Sequence, residues 1–203
     1  MTLPRSPLLP YRVSICGLNE LPSFAAAGVS HVISILDPAW PDPSAFADYP
    51  QHSRVTYRFD DVVEVMDGFA APGAAEVETL LALGQRLTGE PVIHLLVHCH
   101  AGVSRSTAAA AILMAQHNAG REDEVFARIQ EIRPRSWPNS RLIALADALL
   151  GRQGALTAAL RDHLARVTEA YPDLVQLLRL HGRAHEVPEL TAPGAAARAP
   201  ANA

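Results

Sequence analysis

Four short apolar runs and a set of longer amphipathic stretches divide the chain. The runs fall at residues 11–17, 29–36, 55–59 and 92–97, and their lengths suit strands. In the third, Val55, Tyr57 and Phe59 alternate with polar residues, which leaves one face to water. The second and fourth are continuous apolar runs, as central strands covered on both faces should be. Between the second and third, Pro38, Pro41 and Pro43 stiffen a loop. Residues 73–87 form an amphipathic helix leading into the fourth strand. Residues 106–117 form another, stopped by Asn118, Ala119 and Gly120. Glu122, Asp123 and Glu124 open the next, where acidic groups suit the dipole. Asn139 or Ser140 caps one that runs to about residue 150. Strands followed by helices predict an α/β fold: a central, mostly parallel sheet flanked by helices.

Past Gly154 the pattern is purely helical, at 156–170 and 174–180. The expected organisation is a core domain over 9–150, a C-terminal helical extension over 151–190 packed on it, and a disordered Ala/Pro-rich tail over 191–203. A surface for a partner on the two added helices is the alternative to a simple packing role.

Composition narrows the classes. With 203 residues the chain can bury one proper core. A net charge of −4 with no basic run leaves no nucleic-acid footprint. No apolar stretch approaches the ~18 residues of a membrane span, so no membrane partner is expected. The first residues hold no signal-peptide core, and with two cysteines this predicts reduced thiols in a cytoplasm. All 17 basic residues are arginine and alanine abounds, the mark of a GC-rich genome.

Candidate chemistry is concentrated between His98 and Thr107. Cys99 and Arg105 bracket a loop containing Gly102, with a strand before it and a helix after it. A helix N-terminus offers unpaired N–H groups and partial positive charge to an oxyanion. Amides of His100, Ala101, Gly102, Val103, Ser104 and Arg105, turned inward, would make a nest for phosphate oxygens. Arg105 can grip two of those oxygens with parallel N–H bonds. The same field favours a thiolate at Cys99, lowering a thiol pKa from about 8.5 to roughly 4–7. Ser106 follows the arginine, and its hydroxyl could stabilise that sulfur when it leaves. Sulfur, fixed cation and amides together suit phosphoryl transfer to cysteine.

This stretch resembles the signature loop of the cysteine-based protein tyrosine phosphatases, most closely their small dual-specificity branch in its bacterial type. Residues 13–18 and 28–36 resemble that branch's opening strands, and residues 132–139 its Arg-rich turn ending in Pro138-Asn139. The resemblance covers residues 9–150. It implies a protein tyrosine phosphatase-like fold and hydrolysis of phosphoric monoesters through a cysteinyl-phosphate, with neither metal nor cofactor. It implies a general acid on a neighbouring loop, for which Asp61 at the end of the third strand is the leading candidate; Asp60 and Asp67 remain open. His98 matches the histidine before the nucleophile and is expected to support the loop by hydrogen bonds. His100 is expected at the pocket rim. Arg133, Arg135 and Asn139 read as structural, and Cys16 and His94 as packed interior groups.

The implied partner is a phosphorylated protein or a small phosphate monoester. A phosphoinositide or other non-protein phosphatase is the first alternative, although Ala101, Val103 and Ser104 are neutral where lipid-directed relatives carry basic residues. A phosphate-reading pseudoenzyme is the second, against which Cys99, Arg105 and Ser106 all stand.

Overall fold

The computed structural model of the protein describes residues 6–180 and 183–188; the tail expected from residue 191 lies outside them. Four strands, β1 (Arg12–Cys16), β2 (His31–Leu36), β3 (Ser53–Arg58) and β4 (His94–His98), form one sheet in the order β1-β4-β2-β3. All three pairings are parallel, with Cys16 and Ser34 both in register with His98. The continuously apolar runs thus occupy the two central strands. β3 takes an edge, where its residues are half-buried or exposed. The strand bounds move by one or two residues from those expected, since backbone pairing rather than hydropathy decides where a strand ends.

The described residues form six α-helices: α1 (Ala74–Leu87), between β3 and β4, then α2 (Arg105–Gln116), α3 (Glu122–Ile132), α4 (Ser140–Leu149), α5 (Ala155–Ala170) and α6 (Pro172–Leu180). α1 buries Val77, Leu80, Leu83 and Leu87, one helical face. α2 is buried on every side. Its four consecutive alanines let it lie close against the sheet, with α1, α3 and α4 packed around it. The opposite sheet face is covered more thinly, by short 3-10 helices at Leu18–Phe24 and Ser44–Asp48 over Cys16, Val32 and Leu96. The Tyr49 hydroxyl ties these two segments together by donating to the Leu21 carbonyl at 2.6 Å.

The C-terminal helices share the main core. Leu156, Leu160, Leu164 and Val167 of α5 and Leu174 and Leu178 of α6 belong to the same buried cluster as α2. Asp147, near the end of α4, starts α5: its carboxylate accepts from the amides of Gly154, Leu156 and Thr157 at 2.7–3.0 Å. An acceptor there satisfies N–H groups that a helix start leaves orphaned. His163 of α5 stacks on Phe126, and its Nε2 lies 3.0 Å from the Ser136 hydroxyl. No helix among the described residues is long and apolar enough to cross a membrane.

Candidate active site

The loop between β4 and α2 is built with its carbonyl groups outward. His100 O accepts from the Leu18 amide at 2.9 Å, and Val103 O from the Trp137 amide at 2.8 Å. Ala101 O and Gly102 O accept from the Arg133 guanidinium at 3.0 and 3.1 Å. Ser104 O accepts from the Ala108 amide and the Thr107 hydroxyl. In a planar trans peptide the following N–H points the opposite way from its carbonyl. The amides of Ala101, Gly102, Val103, Ser104 and Arg105 therefore turn inward, toward the N-terminus of α2. Gly102 makes this possible. It sits at φ +69, and a Cβ there would stand 2.5 Å from the Cys16 carbonyl carbon. Neither the left-handed conformation nor that approach suits a side chain.

Cys99 lies at the floor of the loop, 2% exposed, with its Sγ 3.2 Å from the Ser106 Oγ. Arg105 is 3% exposed. Its Nη1 is anchored twice, to the Asp37 Oδ1 and to the Phe59 carbonyl, each at 2.6 Å. Its Nε is buried with no partner among the described residues. Nε and Nη2 form the other edge of the fork, the edge a two-oxygen ligand would take. Nothing in the local sequence marks Asp37 for this task. It comes to Arg105 because β2 and β4 are neighbours in the sheet.

His98 is buried between Ser34, whose Oγ lies 2.7 Å from Nε2, and its own strand end, where Nδ1 lies 3.5 Å from the Cys99 carbonyl. Burial pushes its pKa down to about 4, so the ring is neutral at pH 7. Its place is beside the loop's backbone. His100 stands at the rim, its Nε2 accepting from the Asp37 amide at 3.3 Å and its ring 4.4 Å from that of Trp40. Burial, then the Arg105 charge, lowers its pKa.

The three candidate acids separate clearly. Asp60 folds onto its own loop, accepting from the Ala70 amide at 2.7 Å. Asp67 is exposed. Asp61 lines a pocket of about 240 Å³ together with Cys99, His100, Val103 and Arg105. Its Oδ1 accepts from the Ser104 hydroxyl at 2.6 Å and the Asn139 Nδ2 at 2.9 Å. Asn139 also caps α4, accepting from the Leu142 amide. It thus has a structural task, as the sequence suggests, and a second one at the pocket.

Arg133 braces the loop from behind. Its fork pairs with both oxygens of Glu20 at 2.8 Å, which holds that carboxyl below its ordinary range. Arg135 instead makes an exposed pair with Asp173. Cys16 and His94 are interior groups. Burial raises the Cys16 thiol to about 12, and His94 sits between Ser14 and the Ala27 carbonyl. Among the described residues no group of three or more His, Cys, Asp or Glu side chains is placed to hold a metal ion.

No protein-family model matches the sequence, and no curated protein matches it. Solved structures do match the fold. Human DUSP28 superposes with a TM-score of 0.53 at 20% identity, covering 69% of this chain and 94% of its own. The Cydia pomonella PTP-2 phosphatase gives 0.53 at 20% identity, covering 70% and 88%. The human tyrosine phosphatase-like serine/threonine/tyrosine-interacting protein gives 0.52 at 19% identity, covering 73% and 97%. These three do not single out a bacterial branch. At such identities the likeness is one of architecture: the chain has the fold of the dual-specificity and tyrosine phosphatase structures.

Proposed function

We propose that the protein is a cysteine-dependent phosphoric monoester hydrolase acting on phosphotyrosine and related phosphomonoesters. The observation that carries this reading is the convergence on one pocket of the Cys99 sulfur, the free edge of the Arg105 fork, five inward amides and the Asp61 carboxyl. The substrate phosphoryl group sits in the amide nest, with two oxygens on Arg105. The Cys99 thiolate forms the S–P bond while the P–O bond to the leaving group breaks, and Asp61 gives its proton to the departing oxygen. Water then attacks phosphorus, Asp61 takes a proton back, and the S–P bond breaks to release phosphate and thiolate. Ser106 stands 3.2 Å from that sulfur, where its hydroxyl can donate to the leaving thiolate. Arg105 and the amides hold the charge spread over the equatorial oxygens of a loose transition state.

The pocket walls favour an aryl phosphate over a phosphoinositide. Beside the polar floor stand Ala101, Val103, Leu174, Leu177 and Leu178, aliphatic groups that suit an aromatic ring. The thiolate chemistry suits a reducing, cytoplasmic compartment. On this reading the catalytic core spans residues 9–150, and the extension expected over 151–190 adds Leu174, Leu177, Leu178 and Arg183 to the pocket wall. The test is hydrolysis of phosphotyrosine peptides, phosphoserine peptides and phosphoinositides by the wild-type chain and its Cys99→Ser variant. Phosphotyrosine turnover that depends on Cys99 supports the reading; hydrolysis that survives Cys99→Ser refutes it.

A further inference from the structure

From outside the core over residues 9–150, Arg183 is placed against Asp61. It enters the pocket from the segment after α6, beside Leu174, Leu177 and Leu178. Its Nη1 lies 3.5 Å from the Asp61 Oδ2, the oxygen left over after Ser104 and Asn139 take Oδ1. The other edge of the same guanidinium is fixed. Nε and Nη2 donate to the two oxygens of Glu186 at 2.6 and 2.9 Å. Glu186 is itself held: its side chain is 5% exposed, and its Oε2 accepts from the Trp137 indole N–H at 3.2 Å. Trp137 is fully buried, and its backbone amide donates to the Val103 carbonyl of the anion loop.

These bonds close a ring. It runs from the loop through Trp137, Glu186 and Arg183 to Asp61, and back to the loop through Ser104. A rigid planar fork can face two carboxylates at once, one with each edge, which an ammonium cannot do with the same geometry. Glu186 and Trp137 fix the direction in which Arg183 points, and Arg183 in turn limits where the Asp61 carboxyl can go.

We propose that Arg183 is a positioning residue for Asp61, carried into the site by the C-terminal segment and aimed by Glu186 and Trp137. It acts through the acid and does not touch the reacting atoms. This rests on the hydrolase reading above. It makes the C-terminal extension part of the catalytic apparatus and gives the chain beyond residue 150 a purpose in the reaction.

The experiment measures kcat/KM for a series of aryl phosphates of graded leaving-group pKa, in the wild-type chain, Arg183→Gln, Glu186→Gln, Asp61→Asn and the Asp61→Asn/Arg183→Gln double variant. A misplaced acid matters most when the leaving group is poor. Arg183→Gln should therefore cost about tenfold on phosphotyrosine and less than about threefold on the most activated ester. Glu186→Gln, which leaves the arginine but loosens its aim, should tilt the series in the same direction, and it serves in place of Arg183→Gln should that variant not fold. In the Asp61→Asn background, Arg183→Gln should have no further effect. A loss equal for all leaving groups, a loss that persists in full in that background, or no loss at all overturns the positioning role while leaving the hydrolase reading intact. Absence of Cys99-dependent hydrolysis in the wild type overturns both.

Discussion

The Cys99 sulfur and the Ser106 hydroxyl lie 3.2 Å apart, both buried where the anion loop passes into α2. They are seven positions apart in the chain, so the contact is set by the turn of the loop itself. On the proposed mechanism a hydroxyl in that place would serve the sulfur when it carries negative charge as a leaving group, hence chiefly in the second step. Ser106→Ala should leave the initial burst of product intact and slow steady-state turnover by about tenfold, the pattern of a stalled covalent intermediate. Pre-steady-state release of p-nitrophenol measures both phases. A lost burst together with a lowered steady-state rate would place Ser106 in the first step instead.

Arg105 depends on an anchor from another strand. With Nη1 taken by Asp37 and the Phe59 carbonyl, the guanidinium can present only its remaining edge to an oxyanion. Arg105→Lys should lower kcat/KM by more than a hundredfold, and Asp37→Asn, which keeps a hydrogen-bond acceptor but loses the charge, by about tenfold. Competitive inhibition by vanadate should weaken in parallel, because it reports the same oxygen contacts. If Asp37→Asn changed neither rate nor vanadate affinity, the fork would be oriented by the backbone carbonyl alone.

The parts of this site that are legible in the sequence are those carried by contiguous residues. Cys99, Arg105 and Ser106 stand at fixed spacing on a strand–loop–helix unit, and that unit can fold in few ways. The apolar runs identify the strands because burial on both faces demands unbroken hydrophobicity. Asp37 is invisible on the same grounds: it lies 68 positions from Arg105, and only the strand order brings it near. Arg183 is hidden for a related reason. The apolar face of α6 says that Leu174 and Leu178 are covered, and nothing in the helix says by what. The 3-10 helices at Leu18–Phe24 and Ser44–Asp48 also escape, since segments of five to seven residues are too short to show a period.

Three buried histidines, His94, His98 and His163, should make the fold sensitive to mild acid, the last two most strongly. Burial lowers both His98 and His163 from 6.5 to about 4. The native state thus favours the neutral rings, while the unfolded chain protonates near pH 6.5. Their contribution is complete above about pH 6.5 and is lost as the pH falls toward 4, where the native rings protonate as well. Each is worth about 3 kcal/mol over that window. Urea unfolding at a series of pH values should show stability falling steeply between pH 6.5 and 4.5. His163→Leu, which keeps an apolar group against Phe126, should flatten that slope by roughly half. An unchanged slope in the variant would mean that carboxylates, and not these rings, set the acid limit.

The central claim is that Cys99 carries the phosphoryl group, and it can be observed directly. Mixing the chain with a phosphotyrosine peptide and quenching in acid within the first turnovers should trap the S–P intermediate, and Ser106→Ala should increase its yield. Peptide mass spectrometry should then find the mass of one phosphoryl group on the peptide containing Cys99, none on that containing Cys16, and none in Cys99→Ser. A phosphoryl group on any other residue, or undiminished hydrolysis by Cys99→Ser with no trapped adduct, would contradict the account.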